Sequence, residues 1–181
     1  MKGFVKVFRV DVESGKPELI HEQDNTIVYQ GSDILAKLLA GTPDWDISHM
    51  YLTFRNGAEV VPAIDKTQNR GTYYSLPVGL DFVRVPLVQA PTFLAEEPAG
   101  HSYEHNVAVF TSLVNSTTPP ELGNLALADG TSQFLDAALV SATSPTSNAG
   151  DKVFSRIVFN PEIDYSSTFH LTVVWGVKFV S

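Results

Sequence analysis

The sequence predicts a mainly β fold, an antiparallel β-sandwich with a jelly roll as its finer form and a closed barrel as the alternative. Three observations predict it. Strand-like segments follow one another with turn signals between them and no recurrent helix, which favours antiparallel pairing over βαβ units. At the C-terminus Phe169, Leu171, Val173, Trp175, Val177 and Phe179 alternate with Thr168, His170, Thr172, Val174, Gly176 and Lys178, a period of two with one wholly apolar face. Only one stretch, around residues 32–40, carries a helical pattern.

Taken in order, Phe4 to Val12 reads as the first strand, ended by the turn Glu13-Ser14-Gly15-Lys16-Pro17. Glu18 to Glu22 returns antiparallel to it, and Asp24 and Asn25 close the segment. The helix then starts at Ser32 as N-cap, or one residue earlier at Gly31, with Asp33 complementing the N-terminal dipole. Ile34, Leu35, Leu38 and Leu39 share a face, while Lys37 lies off it. Gly41 suits the left-handed position after the helix, and Pro43 prevents continuation. A helix of about two turns is marginal alone, so it must dock on one face or the open end of the sandwich.

Ile47 to Phe54 reads as a strand running into the hairpin signal Asn56-Gly57. Residues 58–75 are irregular. Leu80 to Val88 regains strand character, but Pro77, Pro86 and Pro91 confine it to an edge or to short pieces. After a loop over 96–105, His105, Val107, Val109, Thr111 and Leu113 share one strand face. Leu122 to Ala128 leads into a second hairpin signal, Asp129-Gly130, and 141–151 is a small, polar surface loop. The last strand reads as a central one, because it has the best alternation in the chain.

With 181 residues, 44% of them hydrophobic, the chain suits one β-rich domain over 1–181 with a sizeable core. No apolar run approaches the roughly 20 residues of a membrane span. The N-terminal MKGFVKVFRVDV is broken by Lys6, Arg9 and Asp11, so a strand rather than a signal peptide is expected there, and no membrane association. There are no cysteines, which removes disulfides, thiolate metal sites and a cysteine nucleophile. A net charge of −8 without a Lys/Arg cluster argues against nucleic acid as a partner.

The candidates for chemistry are few. His101, Glu104 and His105 would share a helical face as zinc ligands do, but Pro98 and Gly100 precede them and a strand follows, so a loop tip is expected instead. His21, His49 and His170 read as isolated or surface histidines. Asp44 and Asp46 around Trp45, Glu96-Glu97 and Asp164-Tyr165 invite a glycosidase pair, which needs convergence in space that sequence neighbours do not supply. Trp45 and Tyr73-Tyr74 are candidates for a sugar-stacking platform, although aromatics in β-rich chains mostly fill cores. Asn115-Ser116-Thr117 matches a glycosylation acceptor and is read as incidental. No nucleophile-elbow, zincin or phosphate-loop motif is present, so no enzyme, no cofactor and no metal are expected.

Three stretches resemble a recurrent class of tailed-bacteriophage virion structural proteins. NTIVYQGSDILAKLLAG followed by ISHMYLTF is similar to that class's extended segment, short Leu-rich helix ending in Gly, and strand beginning I-x-H-M. ELGNLALADGTSQF at 121–134 resembles its strand, D-G hairpin and outgoing strand. FSRIVFNPEIDYSSTFHLTVVWGVKF resembles its ending, in which a T-V-x-W strand closes the chain. These stretches cover little more than a third of the chain, and 55–104 has no counterpart. The family usually enters a glycine turn directly after I-x-H-M, whereas this chain continues through Leu52, Thr53 and Phe54 to Asn56-Gly57. The resemblance implies a non-enzymatic particle component, made in the bacterial cytoplasm and residing in the virion. Its implied role is a capsid decoration or cement protein on the major capsid protein, as a dimer or trimer. A tail, baseplate or fibre-attachment component is the alternative, and a carbohydrate-binding sandwich the second.

Overall fold

A computed structural model describes residues 2–41, 46–55, 66–67, 80–90, 92–94, 107–115, 131–142, 150–166 and 168–179. Ten strands and one helix make up the described elements. The strands are β1 (Lys2–Asp11), β2 (Pro17–Asp24), β3 (Thr26–Ile27), β4 (Ile47–Arg55), β5 (Leu80–Pro86), β6 (Thr92–Leu94), β7 (Val107–Val114), β8 (Thr131–Ser141), β9 (Lys152–Ser166) and β10 (Phe169–Lys178). The helix α1 spans Tyr29–Leu39.

Two five-stranded sheets, β2-β1-β10-β7-β6 and β3-β9-β8-β4-β5, pack face to face, and every pairing is antiparallel. This is the expected sandwich, in two sheets rather than one closed barrel. Successive strands pair within one sheet (β1 with β2, β4 with β5, β6 with β7, β8 with β9), so the strand order does not establish the jelly-roll winding. The core lies between the sheets. Val5 and Val7 of β1 and Leu171, Val173, Trp175 and Val177 of β10 meet Met50, Leu52 and Phe54 of β4, Leu139 of β8 and Ile157 of β9. As the alternation requires, β10 is the middle strand of its sheet and buries Leu171, Val173, Trp175 and Val177; of the predicted apolar face, Phe169 at the strand's start is half-buried and Phe179 beyond its end is exposed.

Hydrogen bonds stitch the two sheets together along both edges. After β2 leaves β1, the Asn25 amide still donates to Gly3 O (3.1 Å), and the next two residues already pair with β9. On the other side Leu87 N donates to Ser48 O (3.0 Å) of one sheet, while Val88 N donates to Thr111 O (2.9 Å) of the other. Proline-bounded β5 is an edge strand, as its sequence requires.

The helix begins a turn earlier than the Ser32 cap predicts. Val28 is the N-cap and supplies no side-chain hydrogen bond, and Asp33 lies beyond the first turn. The reason is tertiary. Residues 26–31 run along the open edge of β9 and satisfy it: Val28 N donates to Phe154 O (3.3 Å), and Val153 N donates to the Gln30 side chain (2.8 Å). A sheet edge exposes unpaired backbone groups, and here the helix entry covers them. Gly31 permits this approach, since a Cβ there would lie 2.0 Å from Phe154 O. Ile34 is fully buried in the core, with Leu35 and Leu38 partly buried against it, but Leu39 is 81% exposed and does not belong to the buried face. At the other end Ala40 N and Gly41 N close on the carbonyls of Ala36 and Leu38, and Gly41 takes φ +67°, as its position predicts.

Candidate functional site

Side chains on each strand alternate, so each sheet has an outer face pointing away from the shared core. The two outer faces differ in kind. On β4, Tyr51 and Thr53 point outward and are fully buried, as are Asp136, Ala138 and Val140 of β8 and Val153 and Arg156 of β9. Tyr51, Ala138, Val140, Val153, Val28 and Phe82 form a second, smaller apolar cluster there, with the Tyr51 and Phe82 rings 4.7 Å apart.

Charges are set into this buried layer in two groups. Asp136 and Arg156 form an ion pair in which neither side chain is exposed. Complete burial pushes the Asp136 carboxyl up, against the opposing pull of Arg156 and of the Thr53 hydroxyl beside it. About one strand further along, Arg84 makes a two-pronged contact with Asp151, Nε to Oδ2 at 2.7 Å and Nη2 to Oδ1 at 3.1 Å. Tyr51 OH donates to the same Oδ2 at 2.7 Å. His49 sits beside them, its Nδ1 2.9 Å from Ser48 Oγ. Desolvation, then the Arg84 charge, lower the His49 imidazole to about 4, although Asp151 pulls the other way. A neutral histidine, a clamped carboxylate and a bonded tyrosine hold one another in place. This arrangement fixes geometry, and it presents no exposed reactive atom.

The outer face of the other sheet is partly solvated and carries several apolar side chains. Across β2, β1, β10 and β7 the register places Leu19, Phe4, Phe8, Val10, Val174 and Leu113 on it. Leu19 is 47% exposed and the other five are half-buried. Antiparallel sheets with one wet face ordinarily alternate apolar inside with polar outside. Here apolar side chains share the wet side with Lys6, Thr111, His170, Thr172 and Lys178. Gly176 makes room for the Phe4 ring, whose atoms would lie 2.2 Å from a Cβ at that position. The Lys6 and Lys178 ammonium groups stand 5.6 and 5.3 Å from the centre of that ring. Lys6 also pairs with Glu22 at 3.1 Å.

The histidines fall in three different settings. His170 lies half-buried on the solvated face, as expected. His21 and His49 are buried, contrary to the surface reading: His21 packs edge-on against Phe159 at 5.2 Å, and desolvation lowers its pKa. Asp164 and Tyr165 point to opposite sides of β9. Tyr165 packs on Phe134 and Phe169, whereas Asp164 is exposed and accepts a hydrogen bond from Gln133 at 3.0 Å. They therefore do not converge as an acid pair. Asp46 is exposed. Asp44, Trp45, Tyr73, Tyr74, Glu96, Glu97, His101, Glu104, His105, the Asn56-Gly57 and Asp129-Gly130 turns and the Leu122–Ala128 segment lie outside the described residues. The strand before Asn56 takes its partners from β5 and β8, both distant in sequence.

Among the described residues no group of three or more His, Asp or Glu is placed to hold a metal ion, and no described helix is long and apolar enough to cross a membrane. The buried charges had a sequence signal that strand periodicity overlooks. Asp136 interrupts the apolar run FLDAALV and Arg156 interrupts VFSRIVF, and the register, which pairs Asp136 with Val158 and Ala138 with Arg156, makes the two charges diagonal neighbours on adjacent strands. Compared with protein-family models, curated proteins and solved structures, the chain matches none of them.

Proposed function

We propose that this chain is a structural component of a tailed-bacteriophage virion, a capsid decoration or cement protein that binds and stabilises the lattice of the major capsid protein. The observation that carries this reading is the apolar wet face of the β2-β1-β10-β7-β6 sheet. Phe8, Val10, Leu19, Val174 and Leu113 place partly exposed apolar side chains on one outward face, among Lys6, His170 and Thr172, where a partner would cover them. On a symmetric particle a modest contact of this kind is repeated, and weak individual contacts suffice.

The resemblance in sequence supports the same reading. Its first stretch forms β3, α1 and β4, and its last forms most of β9 and all of β10, so two of its three parts supply three strands of one sheet and the central strand of the other. Self-association as a dimer or trimer is part of the proposal, as are synthesis in the bacterial cytoplasm and residence in the virion.

Quantitative mass spectrometry of purified particles tests it. A copy number in the hundreds, with particles lacking the protein losing resistance to heat, is the expected result. A handful of copies per particle moves the protein to the tail, baseplate or fibre attachment, and its absence from particles ends the virion reading.

A further inference from the structure

Where β2 crosses from one sheet to the other and passes into the helix, the chain encloses a cleft of about 460 Å³. This size lies within the range of small-ligand sites. Asp24, Asn25, Thr26, Tyr29, Ser32 and Lys66 line it, together with Gly3 and Ile27. Tyr29 is 65% exposed, although it is an aromatic at the first turn of a helix that otherwise seals the core.

The walls are fixed by main-chain hydrogen bonds. Tyr29 N donates to Lys66 O at 2.8 Å, Asn25 N donates to Gly3 O at 3.1 Å, and the Asn25 side-chain amide donates to Gly176 O at 3.4 Å. The cleft thus exists before any ligand arrives, which lowers the ordering cost of binding.

Its chemistry narrows the ligand. Polar groups predominate among the lining side chains, which disfavours a purely apolar molecule. Asp24 is the single carboxylate in the described lining, too few hard ligands for a protein-held divalent cation. Lys66 is the single cation there, and Asp24 opposes a phosphate-rich polymer. What remains is a neutral molecule rich in hydroxyls with one apolar face. The carboxylate, amide, hydroxyl and ammonium groups supply both acceptors and donors for hydroxyls, and the exposed phenol ring offers a surface for the C–H face of a pyranose.

We infer that this cleft is a carbohydrate-binding site in which Tyr29 is the stacking platform and Asp24, Thr26, Ser32 and Lys66 supply hydrogen bonds to sugar hydroxyls. The site uses none of Trp45, Tyr73 and Tyr74, which lie outside the described residues. It is independent of the virion proposal, which particle composition decides.

Saturation-transfer NMR on the purified full chain, with maltose, cellobiose, lactose and N,N′-diacetylchitobiose as probes, tests the inference. At least one sugar should receive saturation on its ring C–H protons. Tyr29→Ala should weaken that sugar's binding about tenfold or more, while Tyr29→Phe keeps most of it. Leu39→Ala, which removes an exposed apolar side chain elsewhere on the helix, should leave binding unchanged. Transfer to none of the four sugars, or equal loss in Tyr29→Ala and Leu39→Ala, overturns the assignment. Because the Tyr29 side chain is mostly solvent-exposed, the variants should retain the wild-type unfolding profile. A Tyr29→Ala protein that binds as tightly as wild type also overturns it.

Discussion

Asp136 and Arg156 on one sheet, and Phe4 and Val174 on the other, hold comparable positions, side chains on a strand that point away from the shared core. The charged pair is fully buried, whereas the apolar pair is partly wet. Each sheet therefore shows the reverse of what its outward position would ordinarily select. A buried ion pair adds little net stability over an apolar substitute, but it is costly to break and excludes arrangements that leave either charge alone. An apolar wet face costs solubility and is tolerated where a partner covers it. The first face is thus buried within the chain itself, and the second is the face on which the proposed assembly contact rests.

Removing one half of the buried pair is the most severe way to break this contrast. Asp136→Ala should cost about 3–5 kcal/mol in a denaturant titration, because Arg156 is left charged and buried. The double variant Asp136→Leu/Arg156→Met should recover most of that loss. If the single and double variants are equally unstable, the pair is not what the layer depends on.

The helix entry comes next. Gly31→Ala gains helix propensity but drives its Cβ into Phe154 O, so a net loss of about 1–3 kcal/mol is expected. Hydrogen exchange should quicken first at the Val153 amide, which donates to Gln30. By contrast, a stability gain from the alanine would show that the edge of β9 is not held by close approach.

Acid should act through His49. Its folded-state pKa of about 4 lies below the ordinary 6.5, so between these values the unfolded chain takes up a proton that the folded chain refuses. Stability should therefore be full above about pH 6.5 and fall as pH drops towards 4, by an amount on the order of 2 kcal/mol from this group. His21 is shifted in the same direction. In His49→Gln the slope of stability against pH over this window should flatten. An unchanged slope would place the acid sensitivity in other groups.

Substitutions on the wet face should be the mildest for folding. Val174→Thr should change stability by less than about 1 kcal/mol, because the side chain is only half-buried and Thr keeps the strand preference. Val174→Glu, set opposite Lys6, should likewise fold, yet on the virion proposal reduce self-association in sedimentation experiments and incorporation into particles. Unimpaired incorporation would remove this face from the assembly contact and leave its apolar character to be explained by the fold.

Much of the frame was legible because it is local. The period-two alternation of 169–179 gives a strand with one core face, the prolines after residue 76 confine β5 to an edge, and Gly41 ends the helix. The start of that helix was not legible. A Ser-Asp pair is a good capping signal, but the chain gains more by covering the edge of β9 with residues 28–31 than by using Ser32 as a cap. Leu39 likewise fits the helical stripe, yet it remains in water.

Sequence by itself determined the class of the fold, a cysteine-free antiparallel sandwich with one short helix, since strand and helix periodicities depend on neighbours a few residues apart. Only the tertiary structure decided which face of each sheet stays wet, that His49 is neutral among Arg84, Asp151 and Tyr51, and that Tyr29 stands over a polar cleft. Those outcomes depend on groups brought together from distant parts of the chain. Residues 51, 84 and 151 meet through pairings that no local pattern specifies. Burial is a property of the assembled layers, and a strand's own sequence gives its two faces without saying which of them a second layer will cover.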